Sequence, residues 1–205
     1  MWRKICFLLS NAFNGNNYSI LEGEWRIGDA LKVTLVNMYN SGSLLDRKVV
    51  WDEVREWRRV TNSKAWCVVG DFNSIRRVGE RRNVCMDGDH RREMRRFNDF
   101  IDGSKLFDIT TKRRKYTWYK PNSLIKSRIE RILVSKEWLD KWSDSRYRVT
   151  DRLLSNHCAL ILDTTMIDWG SKPFICLDIW HKDNKFKYFI RKKWECKEVE
   201  FPCLK

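Results

Sequence analysis

The residues best suited to chemistry follow an apolar run, in the sequence Val69-Gly70-Asp71-Phe72-Asn73. The preceding residues, 66–69, are typical of a buried strand that ends at Gly70. An aspartate and an asparagine two positions apart at a strand end could accept a proton from a water molecule and orient it, or bind Mg²⁺ through oxygen atoms. The same pattern is also typical of an Asx turn without a catalytic role, so the motif alone leaves both interpretations open.

A histidine and a glutamate are the next candidates. His157 is one of three histidines and lies in Ser155-Asn156-His157, at the entrance to an apolar strand. Its imidazole could hold a proton or donate to a phosphate oxygen, although a single histidine in such a turn is more often structural. Glu130 lies in the predicted strand 128–134, where its carboxylate could hold an imidazole in one tautomer. The alternative for this strand is an exposed Arg–Glu–Arg ladder with little effect on stability.

Strands and helices alternate around these residues. Runs of β-branched and apolar residues between turn residues predict strands, and apolar residues at helical spacing predict helices. The predicted strands are two around the Asn14–Asn17 turn, then 32–38, 66–69, 116–119 and 128–134, and a pair around the 154–157 turn. The predicted helices are 45–60, 91–102, 136–142 and one from about 184. Hairpin-like strand pairs among helices favour an α/β sandwich of two packed sheets over a doubly wound sheet.

The composition predicts a folded, basic protein that binds polyanions. Lys and Arg number 41 against 27 Asp and Glu in 205 residues, which gives a formal net charge of +14. A field of this size attracts nucleic acid first and an anionic membrane second. The seven cysteines form no CxxC pair, and their scattered positions fit reduced thiols in an intracellular protein. The sequence has no signal-peptide core and no stretch long enough to span a bilayer, so no membrane partner is expected.

Basic residues cluster around the candidate site. Lys112, Arg113, Arg114 and Lys115 run directly into an aromatic segment that contains Trp118, while Arg76 and Arg77 follow the Asp71 loop. Cations of this kind track phosphates, and aromatic side chains stack on bases. The alternative is a solvated charged face beside a tryptophan that packs in the core. We expect phosphate contact from residues 112–115 and duplex DNA as the partner, with weak sequence preference.

Several short blocks occur in an order that resembles the endonuclease/exonuclease/phosphatase domain of plant non-LTR (LINE-type) retrotransposons. These blocks are GDFN at 70–73, FNDFI at 97–101, YTW at 116–118, SRIERILVS at 127–135 and SNH at 155–157, followed by WG and KPF at 169–174. The resemblance implies a four-layer α/β/β/α sandwich. It also implies Mg²⁺-dependent hydrolysis of phosphate esters, in this case by a DNA endonuclease.

The resemblance also implies roles for individual residues. Asp71 and Asn73 match the pair that activates and orients the attacking water, and Tyr39 matches a tyrosine that touches the scissile phosphate. His157 matches the histidine that stabilises charge on the phosphate, and Glu130 stands where the family has an aspartate. Such roles are physically reasonable, because phosphoryl transfer depends on positioning and on neutralising charge.

Three departures from the family pattern predict a degraded or incomplete site. Residues 1–4 match the middle of the family domain, so the first strands, with their metal-binding glutamate, are expected to be missing. Asn156 replaces a carboxylate, which removes negative charge from a metal site. Glu130 is one methylene longer than the family aspartate and is expected to misplace His157. The alternative function is therefore a catalytically inactive remnant that still binds nucleic acid.

Two regions are expected along the chain. Residues 1–165 correspond to a partial endonuclease/exonuclease/phosphatase domain, and residues 166–205 to an extension with an amphipathic helix whose apolar stripe contains Phe186, Phe189, Ile190 and Trp194. A half sandwich that exposes an apolar sheet face could fail to fold alone. A lipid phosphodiesterase of the same family is disfavoured by the arginine-rich surface. No obligate protein partner is evident, and a functional retrotransposon product would act in the nucleus.

Overall fold

The computed structural model describes residues 7–26, 28–61, 63–109, 111, 114–121, 124–152, 155–164 and 183–195. The chain forms two compact units, Met1–Met166 and Ile167–Lys205. The second unit contributes one described element, helix α4 (Asn184–Glu195), on which Tyr188 and Phe189 are exposed. The side chains of Ile190 and Trp194, predicted for its apolar stripe, lie outside the described residues.

A six-stranded mixed sheet forms the centre of the first unit. Its strands, in spatial order, are β1 (Phe7–Gly15), β2 (Tyr18–Trp25), β3 (Leu31–Tyr39), β4 (Ala65–Asp71), β9 (Glu130–Ser135) and β6 (Leu106–Asp108). Strands β3 and β4 are parallel, and the other neighbours are antiparallel. The connection between the parallel strands is α1 (Leu44–Val60), a crossover helix of the kind that parallel pairs require.

Helices α1 and α2 (Gly88–Gly103) cover one face of the main sheet. Asp87 caps α2 by accepting a hydrogen bond from the His90 amide at 2.9 Å. The core on this face is aromatic, with Trp51 stacked on Phe100 and tilted against Phe97. These rings pack against Ile20, Val36, Met38, Val68 and Leu133 of the sheet. The core thereby fixes the ends of β3 and β4, where the candidate residues lie.

The opposite face carries a second core and two smaller sheets. The strand pair β10 (Arg146–Val149) and β11 (Leu160–Asp163) and helix α3 (Lys136–Lys141) contribute Tyr147, Val149 and Trp138 to this core. The second small sheet has the order β5 (Arg81–Arg82), β8 (Lys126–Ser127) and β7 (Trp118–Tyr119) and follows a 3₁₀ turn at Val78–Glu80. The main sheet is therefore enclosed between helices on one face and further strands on the other.

Part of the main sheet remains uncovered. Leu8, Leu9, Phe13 and Leu21 of the β1–β2 hairpin are exposed. An apolar cavity of about 420 Å³ lies beside Leu21, on the face toward β11. Phe13 instead contacts Trp57 of α1, with 4.6 Å between the ring centroids. That a half sandwich could fail to fold alone stays a prediction.

A buried ion network lies beside β9 and β6. Arg131 is fully buried and pairs with Glu80 and, at 2.7 Å, with Asp108. Arg128 pairs with the same two carboxylates at 3.2 and 2.8 Å, and its guanidinium donates to the Tyr147 hydroxyl at 2.9 Å. The alternative of an exposed Arg–Glu–Arg ladder does not describe this strand, because both arginines pair with acids from distant segments.

Candidate active site

Strand register brings the candidate residues together at one edge of the main sheet. Tyr39 lies opposite Asp71 in the parallel pair, and Asp71 lies opposite Glu130 in the antiparallel pair. His157 joins them from the turn before β11, where it forms a β-bridge with Trp118 of the β5–β8–β7 sheet. Asp71, Glu130 and His157 thus form one cluster, although the last two lie 59 and 86 positions beyond the first.

The loop after β4 has a conformation that its sequence makes possible. Strand β4 continues through Gly70 to Asp71, one residue further than predicted. Gly70 has φ of +130°, and a Cβ atom there would lie 2.0 Å from the Met38 carbonyl oxygen of β3. Asn73 adopts the left-handed conformation with φ of +48°, which asparagine tolerates better than most residues. The tight approach of β3 and β4 therefore places Tyr39 beside Asp71.

A carboxylate–imidazole cluster forms the centre of the site. Nδ1 of His157 contacts Oε1 of Glu130 directly and lies 3.9 Å from Oδ2 of Asp71. Because an ionised carboxylate only accepts hydrogen bonds, Nδ1 carries the proton in this contact and Nε2 is the ring nitrogen left for a ligand. The longer side chain of Glu130 thus reaches the imidazole, and the expectation that it misplaces His157 stays a prediction.

Hydrogen bonds of Thr117, the residue before β7, fix the positions of Glu130 and His157. The hydroxyl of Thr117 accepts hydrogen bonds from the amides of Ile129 and Glu130 at 3.1 and 3.2 Å. The Thr117 carbonyl accepts from the Cys158 amide at 2.8 Å, next to His157. One buried threonine therefore links the strand that carries the glutamate to the turn that carries the histidine.

Asp71 is a carboxylate with raised basicity. Burial raises its pKa above the ordinary value, and the nearby charge of Glu130 adds to the rise. The Asn73 amide, which donates to Oδ1 at 2.8 Å, and His157 act in the opposite direction without cancelling it. A carboxylate whose pKa is raised accepts a proton more readily, so Asp71 is suited to general-base chemistry.

The cluster contains donors suitable for a divalent cation. One ligand atom from each of Asp71, Glu130 and His157 lies within 4.8 Å of the others. Oε2 of Glu130 is buried and has no hydrogen-bond partner among the described residues, which is the condition in which a bound cation would satisfy it. Two carboxylates fit Mg²⁺, which prefers oxygen ligands and retains several waters, while the imidazole is a poorer ligand for it. Such a small set of oxygens predicts weak binding.

An open cleft of about 400 Å³ lies in front of the cluster. Tyr39, whose side chain is exposed, lines the cleft together with Asn73 and Trp118. Arg81 and Lys120 also line it and supply positive charge at its rim. The cleft therefore offers cations and aromatic surface beside the carboxylate–imidazole cluster.

The predicted nucleic-acid-binding residues occupy different environments. Arg77 and Lys115 are exposed, and Arg114 pairs with Asp151. Arg76 instead points into the protein, where its Nε donates to Asn98 at 2.8 Å and its guanidinium lies 3.7 Å from Asp108. Lys112 and Arg113 lie outside the described residues.

Asn156 is exposed, and its backbone carbonyl accepts from the Tyr119 amide at 3.0 Å. Its predicted position as a weakened metal ligand stays a prediction.

Sequence reasoning missed two residues that support the Asp71 loop. Arg47, buried in α1, donates from Nη1 to the Asn73 carbonyl and pairs with Glu93 of α2 at 3.2 Å. Asn40 donates from Nδ2 to the Phe72 carbonyl at 3.3 Å. Helical spacing predicts that position 47 is near the core but gives no sign that its charge serves a loop 26 residues away. Asn40 stands directly after a predicted strand, where its side chain gives no sign of a contact 32 residues away.

We predict that Arg47→Lys lowers the rate of the reaction proposed below about tenfold with little change in KM. A lysine cannot hold both the Asn73 carbonyl and Glu93, and small displacements of a reacting group reduce rate strongly. The matched control is Lys48→Arg, on the exposed face of the same helix turn. Steady-state rates of both variants test this role. Equal rates for the two would show that Arg47 does not position the loop.

The layered architecture, with the cluster at the ends of central strands, is that of an α/β sandwich of the endonuclease/exonuclease/phosphatase type, as the sequence predicts. The chain is similar to the 3′ phosphatase NExo from Neisseria, solved with a product DNA hairpin, with a TM-score of 0.51 and 17% identity over 72% of this chain and 65% of that one. It is also similar to the endonuclease domain of TRAS1, a telomere-specific non-LTR retrotransposon, with a TM-score of 0.54 and 15% identity over 74% and 64% of the two chains.

These comparisons bear on the fold. The chain spans slightly less than two thirds of the length of each of those two structures. No protein-family model and no curated protein matches the sequence. In the described part of the chain, no helix is both long and apolar enough to cross a membrane.

Proposed function

We propose that this protein is a divalent-metal-dependent phosphodiesterase that nicks DNA slowly at the Asp71–Glu130–His157 cluster. The observation that carries the proposal is the convergence of these three side chains, from two strands and a turn, at an open cleft. The fold shared with a DNA-bound 3′ phosphatase and a retrotransposon endonuclease domain supports the choice of substrate. The net charge of +14 supports it independently, since such a field attracts polyanions.

The residues of the cluster have complementary roles in this proposal. Asp71 accepts a proton from the attacking water, and Asn73, held two residues further on, orients that water. Glu130 fixes the imidazole of His157 through Nδ1, so that Nε2 donates to the phosphate as negative charge develops. Tyr39 contacts the phosphate from the neighbouring strand. A bound Mg²⁺, held by Glu130 Oε2 and Asp71, would supply positive charge that neutralises the phosphate oxygens.

The proposed rate is low because the site has few oxygen ligands. Two carboxylates are the only acidic side chains that the described residues bring to the cluster. Glu22 and Glu24 of β2 lie toward the opposite end of the sheet, where Glu22 accepts from Asn11 and Glu24 pairs with Arg26. Asn156 has an amide at the position where the family that this sequence resembles has a carboxylate. A cation held by so little negative charge binds weakly and is present in only part of the molecules.

A supercoiled-plasmid assay tests the proposal. With protein in excess over DNA, we expect slow conversion to the open circle that increases with Mg²⁺ concentration and stops on addition of EDTA. The rate should rise with pH as Asp71 ionises, because only the ionised carboxylate can accept a proton or bind Mg²⁺. Release of phosphate from a 3′-phosphorylated oligonucleotide, measured in parallel, separates a monoesterase from an endonuclease. Nicking that continues unchanged in EDTA would reject a metal-dependent site.

A nucleic-acid-binding protein without catalysis is the second candidate. It is favoured by the amide at Asn156 and by exposed cations around the cleft, which bind phosphates whether or not hydrolysis occurs. This candidate predicts DNA binding equal to that of the first, with no Mg²⁺-dependent nicking at any protein concentration. The plasmid assay therefore separates the two.

A further inference from the structure

A second cavity, of about 490 Å³, lies apart from the catalytic cleft and is lined mainly by cationic side chains. The 3₁₀ turn contributes Arg77, Gly79 and Glu80, and the segment before β7 contributes Thr111, Arg114 and Lys115, with Arg128 at the base. The hydroxyl of Thr111 is buried and has no hydrogen-bond partner among the described residues. The cavity thus combines positive charge with a buried polar wall.

The two cavities have no lining residue in common. Arg81 and Ser127 line the catalytic cleft, whereas the residues next to them in the chain, Glu80 and Arg128, line the second cavity. The second cavity is therefore a neighbouring site, with a lining of its own.

The charge in the second cavity exceeds what the protein itself neutralises. Arg128 and Arg114 are paired, the first with Glu80 and Asp108 and the second with Asp151. Arg77 and Lys115 have no acidic partner among the described residues, and both are exposed. The Lys115 ammonium lies 3.7 Å from the position of a Cβ on Gly79, so the absence of a side chain at Gly79 leaves room beside it.

The anchoring of the loop shows that this geometry is built in. Oε2 of Glu80 accepts hydrogen bonds from the amides of Arg76 and Arg77 at 2.7 and 3.3 Å. The same carboxylate is held by the buried Arg131. Although burial acts to raise the pKa of Glu80, the charges of Arg131 and Arg128 hold it below the ordinary value, so Glu80 stays ionised. The backbone that carries Arg77 is therefore fixed from inside.

We propose that this second cavity binds a phosphate group, recognised by Arg77 and Lys115. The proposal deepens the function proposed above and rests on it for the choice of ligand, because a polynucleotide held in the cleft presents further phosphates close by. A free phosphate ion has the same chemistry. Guanidinium and ammonium groups bind phosphate through charge-assisted hydrogen bonds, which are stronger than neutral ones.

The test measures binding in EDTA, so that its result does not depend on catalysis. Fluorescence anisotropy follows oligonucleotides in which one phosphodiester at a time is replaced by an uncharged methylphosphonate. Proteins compared are the wild type, Arg77→Gln/Lys115→Gln, and the control Lys32→Gln/Lys136→Gln. The control removes the same charge at exposed positions toward the opposite end of the main sheet. Thermal unfolding checks that all three proteins are folded.

At one or two linkages, we expect the methylphosphonate to weaken DNA binding by the wild type and the control about tenfold. At the same linkages, DNA binding by the Arg77→Gln/Lys115→Gln variant should not change. In a second arm, inorganic phosphate is compared with chloride at equal ionic strength. Inorganic phosphate could alter DNA binding by the wild type and the control but not by the Arg77→Gln/Lys115→Gln variant, while the methylphosphonate pattern is the same in all three proteins. That result would assign the site to free phosphate. The same methylphosphonate pattern and the same phosphate response in all three proteins would overturn the proposal. Failure of nicking alone would affect only the proposed function.

Discussion

Replacing His157 with alanine is expected to lower the rate of Mg²⁺-dependent nicking by about 10²- to 10⁴-fold, since a positioned acid–base group contributes on that order. The imidazole is held on Glu130 through Nδ1, with its side chain 41% exposed toward solvent. Its removal takes away the donor to the phosphate without disturbing either hydrophobic core. Removal also leaves the buried Glu130 carboxylate without its imidazole partner, so the free energy of unfolding is expected to fall by about 1–3 kcal/mol, and the rates are compared at a temperature at which both proteins are folded. Single-turnover nicking and thermal unfolding of the same preparation measure both quantities.

Two substitutions of Glu130 sharpen this expectation. Glu130→Gln keeps the length of the side chain but removes the charge that stabilises a protonated imidazole. Glu130→Asp keeps the charge but withdraws the carboxylate from Nδ1 by about one bond length, so the contact seen in this protein is weakened. We expect both to reduce the rate, each less than His157→Ala. A rate for Glu130→Asp above that of the wild type would show that the shorter side chain is the better partner and that the present contact is unproductive.

Arg131→Met is expected to reduce the free energy of unfolding by about 3–5 kcal/mol, which is the range for removing one partner of a buried ion pair. Arg131 is fully buried, and its loss leaves Glu80 and Asp108 with only the partly exposed Arg128 and Arg76. The control is Arg96→Met on α2, where an exposed arginine should change the free energy by less than about 0.5 kcal/mol. Chemical denaturation of the three proteins at neutral pH gives the comparison.

The difference in the free energy of unfolding between the wild type and Arg131→Met should depend on pH, which gives an independent check. In the wild type the pKa of Glu80 in the folded protein is lowered, so its ion pairs stabilise the fold above the unfolded-state pKa and that stabilisation is lost as pH falls through the folded pKa. In Arg131→Met, Glu80 stays buried but loses the charge of Arg131. The cost of keeping its carboxylate ionised in the folded protein is therefore greatest at neutral pH. The two stability curves should therefore converge in acid. A difference that stays constant from neutral to acidic pH would mean that lost packing, and not charge, accounts for the effect.

Much of the fold could be predicted from the sequence because its patterns are local. The hairpin at Asn14–Asn17, the crossover helix α1 and the strand before Asp71 follow from turn residues, helical spacing and a continuous apolar run. The two-residue strands β5, β7 and β8 could not be found as a sheet in this way, because each is defined by its partners and not by its own pattern. Trp51 and Phe100, central to the first core, likewise depend on how α1 and α2 pack.

The candidate site was partly predictable for a different reason. Asp71 and His157 stand in recognisable blocks, whereas the fit of Glu130 to the imidazole depends on a cross-strand register that sequence spacing does not give. The contributions of Arg47 and Thr117 are contacts between distant segments. The same holds for the pairing of Arg131 with Glu80, 51 positions apart, which excludes the alternative of an exposed ladder.

The most direct test of the central claim is nicking by Asp71→Asn beside the wild type. The amide keeps the shape of the side chain and can still accept from the Asn73 amide, but it cannot take a proton from water. Because the folded-state pKa of Asp71 is raised, its ionised form is disfavoured by folding at neutral pH, so removing the charge should leave stability unchanged or increase it. We predict that Asp71→Asn is at least as stable as the wild type and nicks supercoiled plasmid in Mg²⁺ no faster than the wild type does in EDTA. Mg²⁺-dependent nicking by Asp71→Asn at the wild-type rate would contradict the account and place catalysis elsewhere.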